Sequence, residues 1–228
     1  MNKLMKSITL IGKKVLSTVL LSLCVTTGFG QHIFNVDPVQ AAEIAAFMKQ
    51  PSAVEGKCNA EVLGIVTTAS EFSWDDINTW KNADGKVWAD GATADYAPTV
   101  FGFGFKKNAP YNGGASWICL ITNKDDDKWN PAIPGVADLK GNFILSNCNA
   151  TTVKIANSQI NTIKICMNNP TEDCYISTKR NSNLEQLDIS GSTGKLRQIE
   201  AYKNKFRDET SLVADNLGEK VLIDWLFN

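Results

Sequence analysis

The chain of 228 residues holds one histidine, His32. A Ser-His-Asp triad, a Cys-His pair or a multi-histidine zinc centre needs an imidazole inside the fold. His32 stands two residues past the expected export cleavage point described below, where chains are seldom tied down. No catalytic residue is assigned, and no metal ligand. The carboxylates offer two weaker constellations. Glu71, Asp75 and Asp76 stand beside Trp74 and Trp80. Paired acids with aromatic platforms occur in sugar-cleaving sites and in sugar-binding ones. The same residues also suit a helix N-terminus or a turn over core tryptophans. Asp125, Asp126 and Asp127 carry the oxygen ligands that calcium prefers, but their spacing is not that of an EF-hand, and a solvated loop flanked by lysines is the simpler reading. Neither the Asn112-Gly-Gly114 stretch nor the Gly-Phe-Gly-Phe run at 102–105 has the spacing that cradles a phosphate.

Six cysteines are present. Outside the cytoplasm disulfides are allowed. Cys166 and Cys174 bracket the polar segment MNNPTED and are expected to staple it; Cys119 and Cys148 read as small buried apolar residues. No C-x-x-C spacing supports a redox motif or a zinc ribbon.

These residues need elements to hold them. At roughly 150 residues per domain the chain is one domain, or one with a small cap. Apolar residues make up 43% and charged residues 21%, which excludes disorder over the whole length and a polytopic membrane protein. Residues 1–30 read as a secretory signal peptide: Lys3, Lys6, Lys13 and Lys14 without an acid, the apolar run Val15 to Val25, then Gly28-Phe29-Gly30 before Gln31. That run is too short to span a bilayer. A lipoprotein signal acylated at Cys24 is the alternative, disfavoured by the bulky Leu23. Four lysines leave with the signal and no acid does, which takes the formal charge from −1 to −5. That balance argues against nucleic acid or anionic lipid as a partner. The mature chain is expected to carry no integral membrane span and to be secreted, displayed at the cell surface or periplasmic.

Asp37 as N-cap, Pro38 at the first helical position and Pro51 as a stop predict a helix over 37–50. Val62 to Val66 reads as a short strand or a further helical turn, and Asn82 to Gly85 as a turn. Val100 to Phe105 reads as a strand, and Trp117 to Ile121 as a buried strand or a core stretch. From residue 139 the pattern changes. Apolar pairs spaced i, i+2 recur at Val153/Ile155, Ile163/Ile165, Leu187/Ile189 and Ile199/Ala201, with Cys174/Ile176 in the widest gap. A short strand therefore returns every 10 to 13 residues. Asn168, Ser192 and Asn204 each lie five residues after the start of such a pair, where a polar side chain can bond the backbone of its own and neighbouring coils.

Leu184-Glu-Gln-Leu187-Asp-Ile189-Ser, followed by Leu196-Arg-Gln-Ile199-Glu-Ala-Tyr-Lys-Asn204-Lys-Phe206, resembles the short leucine-rich repeats of exported bacterial proteins. Ala201 stands where that family often has Cys, and Phe206 where it often has Leu. The match is good over 184–206, fair back to about 142, and poor at 169–183, where Pro170 and an acidic pair interrupt. The signal sequence is similar to those of Bacteroidota. The resemblance implies an α/β, β-rich fold: a short leucine-rich-repeat-like solenoid (139–228, with a C-terminal closing segment) behind a helical, Trp-rich N-terminal cap (31–138). A right-handed β-helix and a plain β-sandwich fit the same periodicity.

In such a solenoid the residues between the inward pairs face outward: Lys154, Lys164, Asp188 and Glu200, with Tyr202 just after its pair. A face bearing both charges and a tyrosine suits a protein or glycan partner at the cell surface. The expected function is a non-enzymatic binding or adhesion protein that needs no cofactor. The runner-up is a carbohydrate-binding or carboxylate-dependent carbohydrate-active protein using the Trp/Asp segment at 70–90. A structural cell-envelope component is the third. The step from scaffold to role is analogy.

Overall fold

Strands β4 (Thr152–Ala156), β5 (Gln159–Met167), β6 (Asp173–Lys179), β7 (Gln186–Asp188), β8 (Lys195–Tyr202) and β9 (Leu212–Val213) alternate between two parallel sheets as the chain winds. The computed structural model describes residues 37–85, 103–105, 115–120, 135–148, 150–168, 173–193, 195–215, 217 and 221–226. All fall in one unit, Phe34–Asn228. β1 (Phe103–Phe105), β2 (Ala115–Leu120) and β10 (Leu222–Leu226) complete a six-stranded sheet in the order β1-β2-β4-β6-β8-β10. β3 (Lys140–Cys148) heads a four-stranded sheet in the order β3-β5-β7-β9. Among the described strands β1–β2 pair antiparallel and the other pairs are parallel. The protein is thus a β-rich solenoid with few helices. β4–β5, β6–β7 and β8–β9 form its three full turns.

The repeat follows from what one strand cannot hide alone. Val153, Ile176 and Ile199 are in register on the six-stranded sheet and all but fully buried. Phe143, Ile163 and Leu187 are in register on the other sheet, also buried. Each row covers its neighbour, and the two sets of rows close the core between the sheets. The recurrence at 10 to 13 residues is therefore half a coil. Val153/Ile155 and Ile199/Ala201 belong to one sheet with Ile176 between them, and Ile163/Ile165 and Leu187 belong to the other, with Ile189 just past the end of β7.

A polar ladder joins the coils where the chain leaves the six-stranded sheet. Asn181 donates from Nδ2 to the Ile155 carbonyl at 2.9 Å, and its Oδ1 accepts from the Ser158 backbone N–H at 3.1 Å and hydroxyl at 2.8 Å. One coil later Asn204 Nδ2 donates to the Thr178 carbonyl at 2.8 Å, and its Oδ1 accepts from the Asn181 N–H at 3.0 Å. Ser158, Asn181 and Asn204 are all buried. The residue before each rung, Asn157, Arg180 or Lys203, takes a positive φ of 59°, 55° or 57°. Asn204 plays the role its spacing predicts. Asn168 and Ser192 do the equivalent work on the four-stranded sheet, where Ser192 Oγ accepts from the Met167 N–H at 3.0 Å and Asn168 Oδ1 accepts from the Thr193 hydroxyl at 3.0 Å.

Helix α1 (Pro38–Lys49) starts at Asp37, whose Oδ1 accepts from the Val39 and Gln40 N–H groups, both at 3.0 Å. It ends at extended Gln50, before Pro51. Its buried Ile44, Ala45, Phe47 and Met48 pack towards β3, with Phe47 edge-on to Phe143 at 5.0 Å. A short helix α2 (Asn59–Val62) follows; of the segment Val62 to Val66, expected as a strand or a helical turn, only Val62 belongs to it, and residues 63–66 form a turn and irregular chain. Gly135, at φ 80°, passes so close to it that a Cβ would strike the Val62 carbonyl.

β3 is an edge strand, and side chains of the helical segment take the place of its missing neighbour. Asn59 Oδ1 accepts from the Lys140 N–H at 3.1 Å while its Nδ2 donates to the Lys140 carbonyl at 2.9 Å. Gln50 treats Asn142 the same way, at 2.8 Å for each bond. Further along, Glu43 accepts from the Ser146 N–H at 2.9 Å and Gln40 donates to the Asn147 carbonyl at 3.1 Å. The opposite end of the solenoid is built differently. Ile223 continues the inward row in register with Ile199, yet it is 42% exposed against 0% for Ile199. Its neighbour Leu222 is 63% exposed. No helix among the described residues is long and apolar enough to cross a membrane.

Candidate functional site

The outer face of the six-stranded sheet carries a grid of side chains. Thr152, Tyr175 and Gln198 stand in register on β4, β6 and β8, and Lys154, Ser177 and Glu200 form the next row. Strands lie about 4.8 Å apart, so Ser177, the smallest member, leaves a depression between Lys154 and Glu200. These six residues, with Val153 and Ile176 below, line an open groove of about 310 Å³. Tyr175 rises beside it, 42% exposed.

Glu200 is the best-held polar group of this face. Its Oε2 accepts from Lys179 Nζ at 2.6 Å and from the Ser177 hydroxyl at 3.1 Å, and its Oε1 accepts from the Gln198 amide at 3.0 Å. Lys179 also lies 5.1 Å from the centre of the Tyr202 ring. Burial alone would lower the Lys179 pKa, but the bonds to Glu200 and Tyr202 outweigh it and hold the ammonium above the ordinary lysine value. The carboxylate is thus fixed in place by its own neighbours.

The five outward residues expected from the sequence do not share one surface, which corrects the single-face reading. Lys154, Glu200 and Tyr202 belong to the six-stranded sheet. Lys164 and Asp188 belong to the four-stranded one, where they pair in register at 2.8 Å. There the Asp188 bond and charge hold the Lys164 pKa up. Burial pushes the Asp188 carboxyl upward, but bonds from Lys164 and Ser190 prevail and hold it below the usual carboxylate range. This pair ties two rungs together. Alternation along a strand tells inside from outside but not one sheet from the other, so residues of both sheets look alike in sequence. Tyr175, Ser177 and Gln198 were missed altogether. The first two lie in 169–183, where the repeat template matches poorly; the pairing of Cys174 with Ile176 was the available signal.

The bridge expected between Cys166 and Cys174 is not formed. Cys166 lies on β5 and Cys174 on β6, in different sheets, and both are thiols, as are Cys58 and Cys148. Cys166 Sγ instead donates to the Ser190 carbonyl at 3.2 Å. Burial pushes the Cys148 thiol up to about 12, so it is an inert core residue.

The acid–tryptophan segment is occupied with its own folding. Trp80 is fully buried and donates from Nε1 to the Ser73 carbonyl at 2.8 Å. Trp74 packs edge-on to Phe72 and Trp80, with Lys49 Nζ 5.3 Å from its ring centre. Asp76 caps a 3-10 turn through the Asn78 N–H at 3.0 Å, and Glu71 pairs with Lys81 at 3.2 Å. The signal segment with Cys24, His32, Trp88, Asn112 to Gly114 and Asp125 to Asp127 lie outside the described residues. Among the described residues no cluster of three or more His, Cys, Asp or Glu side chains is gathered for a metal. No family model, curated protein or solved structure matches the chain.

Proposed function

We propose that this chain is an exported binding or adhesion protein whose outer six-stranded face captures a protein or glycan at the cell surface. The observation that carries the reading is the groove over β4, β6 and β8, with Glu200 held on three sides and Tyr175 beside it. A fixed carboxylate and an exposed ring on a rigid sheet lower the ordering cost of association. The scaffold is a short leucine-rich-repeat-like solenoid of the exported Bacteroidota type, with the helical, Trp-rich part of residues 31–138 as its cap and β1 and β2 of that range joining the six-stranded sheet. Its support is the repeat layout in the sequence, the polar ladder at Ser158, Asn181 and Asn204, and the covering of the β3 edge by Gln50 and Asn59. No reaction and no cofactor is part of this reading.

The test is retention of labelled protein on bacterial and host cells. Glu200→Lys and Tyr175→Ala are expected to lower retention about tenfold or more with an unchanged circular-dichroism spectrum. Lys164→Glu, on the other sheet, is expected to leave retention unchanged. Equal retention by all these variants overturns the proposal.

A further inference from the structure

We infer that the groove over β4, β6 and β8 takes a neutral saccharide: one or two sugar residues of a glycan. The inference rests on reading that face as the binding surface and names its ligand class. Three features carry it. The first is what a sheet face can offer. The backbone N–H and C=O groups of β4, β6 and β8 are engaged in the parallel ladder, so only side chains remain for a ligand. A peptide would bring its own amides and carbonyls, which need matched backbone partners. Sugar hydroxyls both donate and accept, and they suit a mixed set of hydroxyl, amide and carboxylate groups. The groove presents that set in Thr152, Ser177, Gln198 and Glu200.

The second feature is the ring. Tyr175 is 42% exposed in the row between Thr152 and Gln198. An exposed aromatic on a polar floor offers an apolar plate to the C–H face of a pyranose while polar side chains meet its edges. The third is charge. Lys154 and Glu200 flank Ser177 in one row, and Lys179 bonds Glu200. The face thus carries both signs rather than a cluster of one, so a strongly charged ligand of either sign meets a like charge as well as an opposite one. The volume of about 310 Å³ is at the small end for ligand sites, which limits the contact to a sugar or two.

The probes are maltohexaose, cellohexaose, mannohexaose and chitohexaose, titrated into the purified protein up to about 10 mM with calorimetric detection. At least one is expected to bind. Tyr175→Ala and Gln198→Ala are each expected to weaken it about tenfold, and Lys164→Ala is expected to have no effect. Ser177→Trp, which fills the depression and removes the Ser177 hydroxyl, is expected to abolish binding and covers the case in which Tyr175→Ala fails to fold. Absence of binding by every probe overturns the inference, as does binding that survives Ser177→Trp. If cell retention still falls with Glu200→Lys while no probe binds, the ligand class is wrong and the binding face stands. If retention is also indifferent to the face, both fall.

Discussion

Thr178 occupies a core position that its neighbours fill with hydrocarbon. It is in register with buried Ile155, which is in register with buried Leu120. Its Oγ1 is buried without a hydrogen-bond partner. A buried hydroxyl in that state costs more than a methyl group in the same place. Thr178→Val keeps the shape and is expected to raise the unfolding free energy by about 1 kcal/mol, read from urea denaturation. An unchanged or lower midpoint would show that the hydroxyl is satisfied in solution. The lesson extends to Glu200. The same sheet carries a carboxylate bonded on three sides at its surface and an unbonded hydroxyl within.

The ladder turns element-level geometry into stability. Each Asn binds a carbonyl of the coil before it, and the backbone N–H that begins its neighbour's rung binds back. Asn181→Ala strands the Ile155 carbonyl and the Ser158 N–H in the interior. A cost of about 3 kcal/mol is expected, visible as a lower calorimetric transition. The half-buried counterpart Asn168→Ala, whose side-chain bonds lie at the surface, is expected to cost less than about 1 kcal/mol, because water replaces what is lost. Similar losses at both sites would contradict the role given to burial. Much of this element-level order was legible in the sequence. Apolar pairs at Val153, Ile163, Leu187 and Ile199 mark inward rows, and Asn204 marks a rung. The path between rungs was not legible. The left-handed turns fall on Asn157, Arg180 and Lys203, so glycine, the usual marker of such a position, is missing. Cys166 and Cys174 are near in sequence but enter different sheets, which no spacing rule reveals. The groove escaped for a related reason: its members come from three coils, and no local motif joins Thr152, Tyr175 and Gln198.

At the scale of the whole molecule, stability is a sum over turns and the contacts between them. The ladder spacing sets the unit at 23 residues, from Ser158 to Asn181 and from Asn181 to Asn204. Deleting residues 158–180 joins Asn157 to Asn181 and lets β8 take the place of β6. The shortened chain is expected to fold cooperatively with a lower thermal midpoint. Deleting half as much would move every later strand to the wrong sheet and is expected to give an unfolded product. Circular dichroism and proteolysis distinguish these outcomes; equal tolerance of both deletions would contradict the coil assignment.

The two ends of this stack are finished in unlike ways. At β3, the amides of Gln50 and Asn59 stand in for a strand that is not there. At β10, Leu222 and Ile223 meet water. Loosening therefore has a preferred starting point. Thermal opening is expected to enter from the β10 edge before the helix-bound β3 edge, giving a nearly uniform spiral a built-in direction of failure.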